Sequence, residues 1–139
     1  MLLPNIFPQL IRNAELESTH IGGGEDAETS LEAAKRELFE ETALVGVNWL
    51  QLDSMCTLPK TIFNDHMYWP KHLHVVPEYA FSVEVQGDPL LSSEHSEYRW
   101  CDAIQAQKLL KYDFNRIALW ELCERLKDQG KRIPELDRF

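Results

Sequence analysis

Between Gly22 and Leu44 the chain reads GGGEDAETSLEAAKRELFEETAL, and its chemistry-bearing residues are Glu28, Arg36, Glu37, Glu40 and Glu41. On an α-helix each residue turns about 100°, so Glu37, Glu40 and Glu41 stand at i, i+3 and i+4 and share an arc. Like charges at those separations destabilise a bare helix by roughly 0.2–0.5 kcal/mol per pair. Arg36 offsets part of this through Glu40 at i+4, but one guanidinium cannot neutralise three carboxylates. A hard divalent cation can. Mg2+, with Mn2+ as the alternative, takes carboxylate and water oxygens and completes its shell with substrate phosphates. Held there against a diphosphate, it would neutralise phosphate charge and acidify a bound water, which a carboxylate would help to attack phosphorus. Gly22 and Gly23 let the backbone come close to an anion, and the first amides of the helix favour one. An acidic pair on a helix is ordinarily a solvated face, and a triple glycine ordinarily a turn. Their joint spacing with Glu28, Arg36 and Leu38 is what favours the metal reading.

These side chains need a helix presented on a sheet. Thr29 or Ser30 can cap one that is expected to run to about Thr42, with Leu31, Ala34 and Leu38 facing the sheet. Strands are expected over residues 6–12, 45–57, 73–85 and 97–101. Residues 59–71 read as a long loop carrying Phe63, Tyr68 and Trp69. Core packing is the commoner fate of such aromatics, and stacking on a planar ligand is the alternative. Two helices, residues 103–110 and 113–127, close the chain, and Ile117 and Trp120 are expected in the core, with Cys123 or Leu126 along the same apolar face. This order predicts one α/β domain over residues 1–139, an α/β/α sandwich around a mixed central sheet.

Composition narrows the partners. The chain has 139 residues, 44% hydrophobic and 27% charged, with a formal net charge of −9. Such a balance argues against nonspecific binding to a nucleic acid polymer or an anionic membrane, since both demand a basic surface. A polyphosphate must then be met by metal or by local cations, of which Lys60, Lys71 and Arg116 are candidates. Cys56, Cys101 and Cys123 are odd in number and widely spaced, as expected of reduced thiols in a cytoplasmic protein. The first residues lack a basic stretch and are broken by Pro4 and Pro8, so neither a leader nor a membrane anchor is expected. His66, His72 and His74 fit no zinc spacing, and surface or packing roles are favoured.

The spacing G-x5-E-x7-R-E-U-x-E-E-x-G-U, with U aliphatic, resembles the signature of the Nudix hydrolases, and only the last glycine differs, being Ala43. The resemblance implies an α/β/α sandwich that cleaves nucleoside diphosphates linked to another moiety. It implies that Glu37, Glu40 and Glu41 hold the divalent metal, and that Arg36 pairs with Glu28 to orient loop and helix. Farther on, Glu94, His95, Tyr98, Trp100 and Asp102, then Asn115 and Arg116, resemble the bacterial dihydroneopterin triphosphate (dATP) pyrophosphohydrolase branch, with Phe114 in place of a serine. That likeness implies Mg2+-dependent conversion of a nucleoside triphosphate-like substrate (dATP, another NTP or dihydroneopterin triphosphate) to monophosphate and pyrophosphate.

It also implies that Glu94 is a further metal ligand or base, and that Glu78 lies on a strand flooring the site. Arg12, Gly22, Gly23, Glu78 and Arg116 are the candidate substrate contacts. The competing functions are cleavage of dinucleoside polyphosphates or nucleotide sugars, and a non-catalytic nucleotide-binding module. Members of the family have two strands before the signature. Here residues 6–12 serve as the second, ending at Arg12, and the N-terminal strand is expected to be missing. A sheet edge left open in this way is where a second copy could form a homodimer. Ala43 is expected to cost about 1 kcal/mol where glycine would take positive φ.

Overall fold

The structure is a computed structural model and describes residues 28–91 and 98–136 of the chain. Its elements are α1 (Ser30–Thr42), β1 (Val47–Pro59), the 3-10 turns Lys60–Ile62 and His66–Tyr68, β2 (Val75–Glu84), α2 (Ala103–Leu109) and α3 (Asp113–Asp128). β1 and β2 pair antiparallel, α1 packs on one face of the pair and α3 on the other, which gives an α/β/α layering. Among the described residues the sheet has these two strands. The strand expected at residues 6–12, and with it the mixed sheet and the missing first strand, lies outside them.

The start of α1 follows from its sequence. The Thr29 hydroxyl accepts from the Glu32 amide at 3.1 Å, and the Glu32 carboxylate accepts from the Thr29 amide at 2.9 Å. This reciprocal cap satisfies two orphan donors and contributes about 1 kcal/mol. Ala33, Ala34 and Leu38 are buried, and the two alanines let the helix close on Phe81, with Leu31, Trp49 and Tyr79 packed around them. Leu31 is thus half-buried, and Ala33 joins the face expected from Ala34 and Leu38. The helix ends on Ala43, whose φ of 59° and ψ of 14° are left-handed, with its amide donating to the Phe39 carbonyl. At Gly46 a Cβ would collide with Val83 Cγ2, so a larger residue there would force Val83 or the entry into β1 to shift.

Residue alternation assigns the two faces of β2. Tyr79 and Phe81 meet α1, while Ala80 meets Leu52 of β1 and Ala118 and Leu122 of α3. β1 is irregular. Val47 pairs Glu84, Leu50 pairs Ser82, Gln51 pairs Phe81 and Met55 pairs Tyr79, so β1 carries extra residues at two bulges. In the first, Asn48 takes a φ of 54° and its side-chain amide donates to Glu84.

Several expectations are corrected. On α3 the buried residues are Asn115, Ala118 and Cys123, whereas Ile117 and Trp120 stay 43% and 42% exposed. Small Ala118 lets α3 approach the sheet closely, which turns the larger Ile117 and Trp120 away from it. Residues 98–101 form no strand, and lead directly into Asp102, whose carboxylate caps α2 through the Gln105 amide at 2.8 Å. Within residues 59–71, Trp69 is buried with its ring 5.5 Å from that of Phe63, which leaves Tyr68 as the exposed aromatic. Cys101 and Cys123 are buried and Cys56 is half-buried, all three as free thiols. No helix among the described residues is long and apolar enough to cross a membrane.

Candidate active site

Arg36 organises the outer side of α1. Its Nε donates to Glu28 Oε1 at 2.9 Å and its Nη2 to Glu28 Oε2 at 3.2 Å, a two-pronged grip on the residue just before the helix. Its Nη1 donates to Glu40 at 3.0 Å. The planar guanidinium thus ties the incoming loop to the helix and fixes one carboxylate of the acidic arc. The Arg36–Glu40 pairing is the one expected from the spacing, and the Arg36–Glu28 pairing the one the family resemblance implies.

Glu37 and Glu41 lie at i and i+4 on the arc between buried Ala33 and Ala34, and both are half-buried; Glu40, beside Arg36, is exposed. Two carboxylates on an inward-turned arc suit a hard cation whose remaining positions are filled by water and substrate oxygens. Glu40 can supply a third oxygen, using the one not engaged by Arg36. Among the described residues no group of three or more His, Cys, Asp or Glu side chains is gathered closely enough to hold a metal ion. Glu94 and His95, like Arg12, Gly22 and Gly23, lie outside the described residues. Glu37, Glu40 and Glu41 carry the kind of oxygen donor a magnesium-type ion takes, and the described residues do not by themselves gather a set that would enclose one.

Glu78 is brought to a different place. It is 7% exposed and lies on the α3 face of β2, across the sheet from α1. There it borders a cleft of about 50 Å3 with Ser54, Met55, Cys56, Ala80, Phe114 and Ile117. The Cys56 thiol donates to Glu78 Oε2 at 3.8 Å, and burial together with the Glu78 charge pushes that thiol up to about 11. It stays protonated at neutral pH. The strand thus separates Glu78 from Glu37, Glu40 and Glu41, which the sequence reading had gathered around one substrate.

Arg116 is placed at the junction of α2 and α3. Its Nε donates to the Leu110 carbonyl at 3.0 Å and its Nη1 to Asp113 at 3.1 Å. Those contacts join the two helices and leave Nη2 for any phosphate.

Sequence reasoning missed the side chain that shapes the cleft. In the second bulge of β1, the amides of Asp53 and Ser54 donate to the two oxygens of Glu121, each at 2.7 Å, and the Ser54 hydroxyl donates to the same carboxylate. Arg125 completes the cluster, donating to Glu121 and to Asp53, both at 2.9 Å. Burial pushes the Glu121 carboxyl up, but the Ser54 hydroxyl, the two amides and Arg125 outweigh it and hold the group below the usual carboxylate range. The clasp sets the strand segment that carries Ser54, Met55 and Cys56. The i, i+4 pair Glu121–Arg125 is visible in the sequence, but the bulge that gives it a partner is not.

Comparison with known proteins identifies the family. The NUDIX domain family model matches residues 10–120. The crystal structure of a proposed NUDIX hydrolase from Listeria monocytogenes is similar at 44% identity and a TM-score of 0.61, over 78% of this chain and 73% of that one. Among curated proteins none matches the chain.

Proposed function

The chain belongs to the Nudix family and is a Nudix-type pyrophosphohydrolase of nucleotide-like substrates, and from that premise we propose that it converts a nucleoside triphosphate-like substrate to monophosphate and pyrophosphate with Mg2+. The substrates in view are dATP, other NTPs and dihydroneopterin triphosphate. What carries the reading is the acidic arc of α1, with Glu37 and Glu41 half-buried and Glu40 braced by Arg36. Mg2+, when bound, supplies charge neutralisation for the phosphates and an acidified water. Glu37, Glu40 and Glu41, with Glu94, would hold it, and Mn2+ would fit the same oxygens. Arg36 keeps Glu28 and the loop in register with the helix, and a carboxylate of the set accepts the proton of the attacking water. Arg12, Gly22, Gly23 and Arg116 are the proposed substrate contacts, on the strength of the family likeness; Glu78, across the sheet from the arc, is not among them.

The experiment is pyrophosphate release from dATP, GTP and dihydroneopterin triphosphate, each with magnesium and with chelator. Release that needs magnesium supports the proposal. Faster cleavage of dinucleoside polyphosphates or nucleotide sugars would move the enzyme to another Nudix reaction, and nucleotide binding without turnover on any compound would make it a binding module.

A further inference from the structure

The end of α1 is held against several forces that would undo it. Glu40 and Glu41 lie on its last turn, the part of a helix that frays first. That turn carries no basic residue, so both carboxylates stand at the negative end of the helix dipole, with Glu37 one turn away. Ala43 then leaves the helix in the left-handed region, with a φ of 59°. An alanine is strained there, and the strain would be relieved if the helix ran on.

Thr42 opposes this from a buried position, with 4% of its surface exposed. Its hydroxyl donates to the Leu38 carbonyl at 2.6 Å and accepts from the Leu44 amide at 3.2 Å. Its carbonyl accepts from the Leu90 amide at 2.8 Å. In a helix that ran on, the Leu44 amide would go to the Glu40 carbonyl, and the Thr42 carbonyl would take the Gly46 amide. Thr42 thus supplies, in the turned chain, partners for groups that would otherwise favour another turn of helix. We propose that Thr42 is a positioning residue for the carboxylates of α1: by taking the Leu44 and Leu90 amides it locks the last turn, and with it Glu40 and Glu41 in register with Glu37. This rests on the pyrophosphohydrolase reading above and adds to it a residue that touches neither ion nor substrate.

The hydroxyl is the part that substitution can isolate. Valine keeps the shape of threonine but neither donates nor accepts, whereas serine keeps both abilities. A magnesium-type ion tolerates little displacement of its oxygens, so a loosened turn should show in metal affinity before it shows in the fold. Glycine at position 43 would take the left-handed turn without strain, so the lock should matter less in its presence.

The test is the Mn2+ affinity of the full chain without nucleotide, read from the free-ion EPR signal, for the wild type, Thr42→Val, Thr42→Ser and Thr42→Val/Ala43→Gly. Circular dichroism and the urea midpoint are measured alongside. Thr42→Val is expected to fold and to bind Mn2+ about tenfold more weakly, as when a group that orients ligands is lost, with Thr42→Ser within about threefold of the wild type. Adding Ala43→Gly to Thr42→Val should recover most of the loss. A purely structural Thr42 would lower the urea midpoint and leave the Mn2+ affinity of the folded protein unchanged. That result overturns the inference and leaves the hydrolase reading standing, and so does a Thr42→Ser as weak as Thr42→Val. A loss that Ala43→Gly does not relieve means that the turn is not what Thr42 holds, and overturns it too. If the wild type itself takes up no Mn2+, the metal reading fails and the inference falls with it. Should Thr42→Val not fold, Thr42→Ala, which also lacks the hydroxyl, takes its place under the same criteria.

Discussion

The acidic arc of α1 and the cluster around Glu121 on α3 both use carboxylates, and they are held in opposite ways. Glu121 is saturated by two backbone amides, a hydroxyl and an arginine, all from within the fold. On α1, one arginine serves Glu28 and Glu40 while Glu37 and Glu41 share the inward side of the same helix. A carboxylate clothed in donors fixes architecture, whereas the role proposed for the carboxylates of α1 is to meet a ligand that brings positive charge. Perturbing each in turn should separate chemistry from scaffolding.

The largest expected effect is on α1. Glu40→Gln keeps the shape and removes a charge, and loss of several kcal/mol of transition-state stabilisation should lower kcat by about a hundredfold or more. Its urea midpoint should stay close to the wild type. Full turnover in that variant would remove Glu40 from the proposed metal site.

Glu121→Ala should show the reverse pattern. Stranding the Asp53 and Ser54 amides is expected to cost about 1–3 kcal/mol of stability, seen in urea unfolding, with a smaller fall in kcat than Glu40→Gln. The same carboxylate gives a pH dependence of known sign. Its folded pKa is depressed, so its stabilisation is complete above the unfolded value near 4.3 and is lost as pH falls through the lower folded value. Glu121→Gln should flatten that acid limb, and an unchanged acid limb would deny the clasp its charge.

Arg36→Ala frees Glu28 and Glu40 together. A group that orients ligands typically changes metal affinity about tenfold or more, so the magnesium concentration for half-maximal activity should rise by that order. No change in the magnesium requirement would reduce Arg36 to a surface ion pair. Smallest is Ala43→Gly, which relieves a left-handed alanine and should raise stability by about 1 kcal/mol without touching activity. A loss of stability there would mean that the helix end is not strained.

The same contrast governs what could be read from residues alone. The α1 site is local: cap, arginine, glutamates and the left-handed Ala43 all lie on one helix and its ends, so spacing conveys geometry. The helices at the end of the chain were similarly legible in extent. Which face α3 buries was not, because close approach at Ala118 outweighed the larger Ile117 and Trp120. Nor was the side of the sheet on which Glu78 falls. Pairing across the bulges of β1 joins residues far apart in sequence, and each extra residue changes which side chains meet α3. Glu121 has its role only once that register exists.

The most direct measurement is Mn2+ uptake, read as loss of the free-ion EPR signal, by the wild type and by Glu37→Gln/Glu40→Gln/Glu41→Gln without added nucleotide. The wild type should take up the ion and the triple variant should bind it at least tenfold more weakly, with matching circular dichroism. Equal uptake by the two proteins would contradict a metal held on α1.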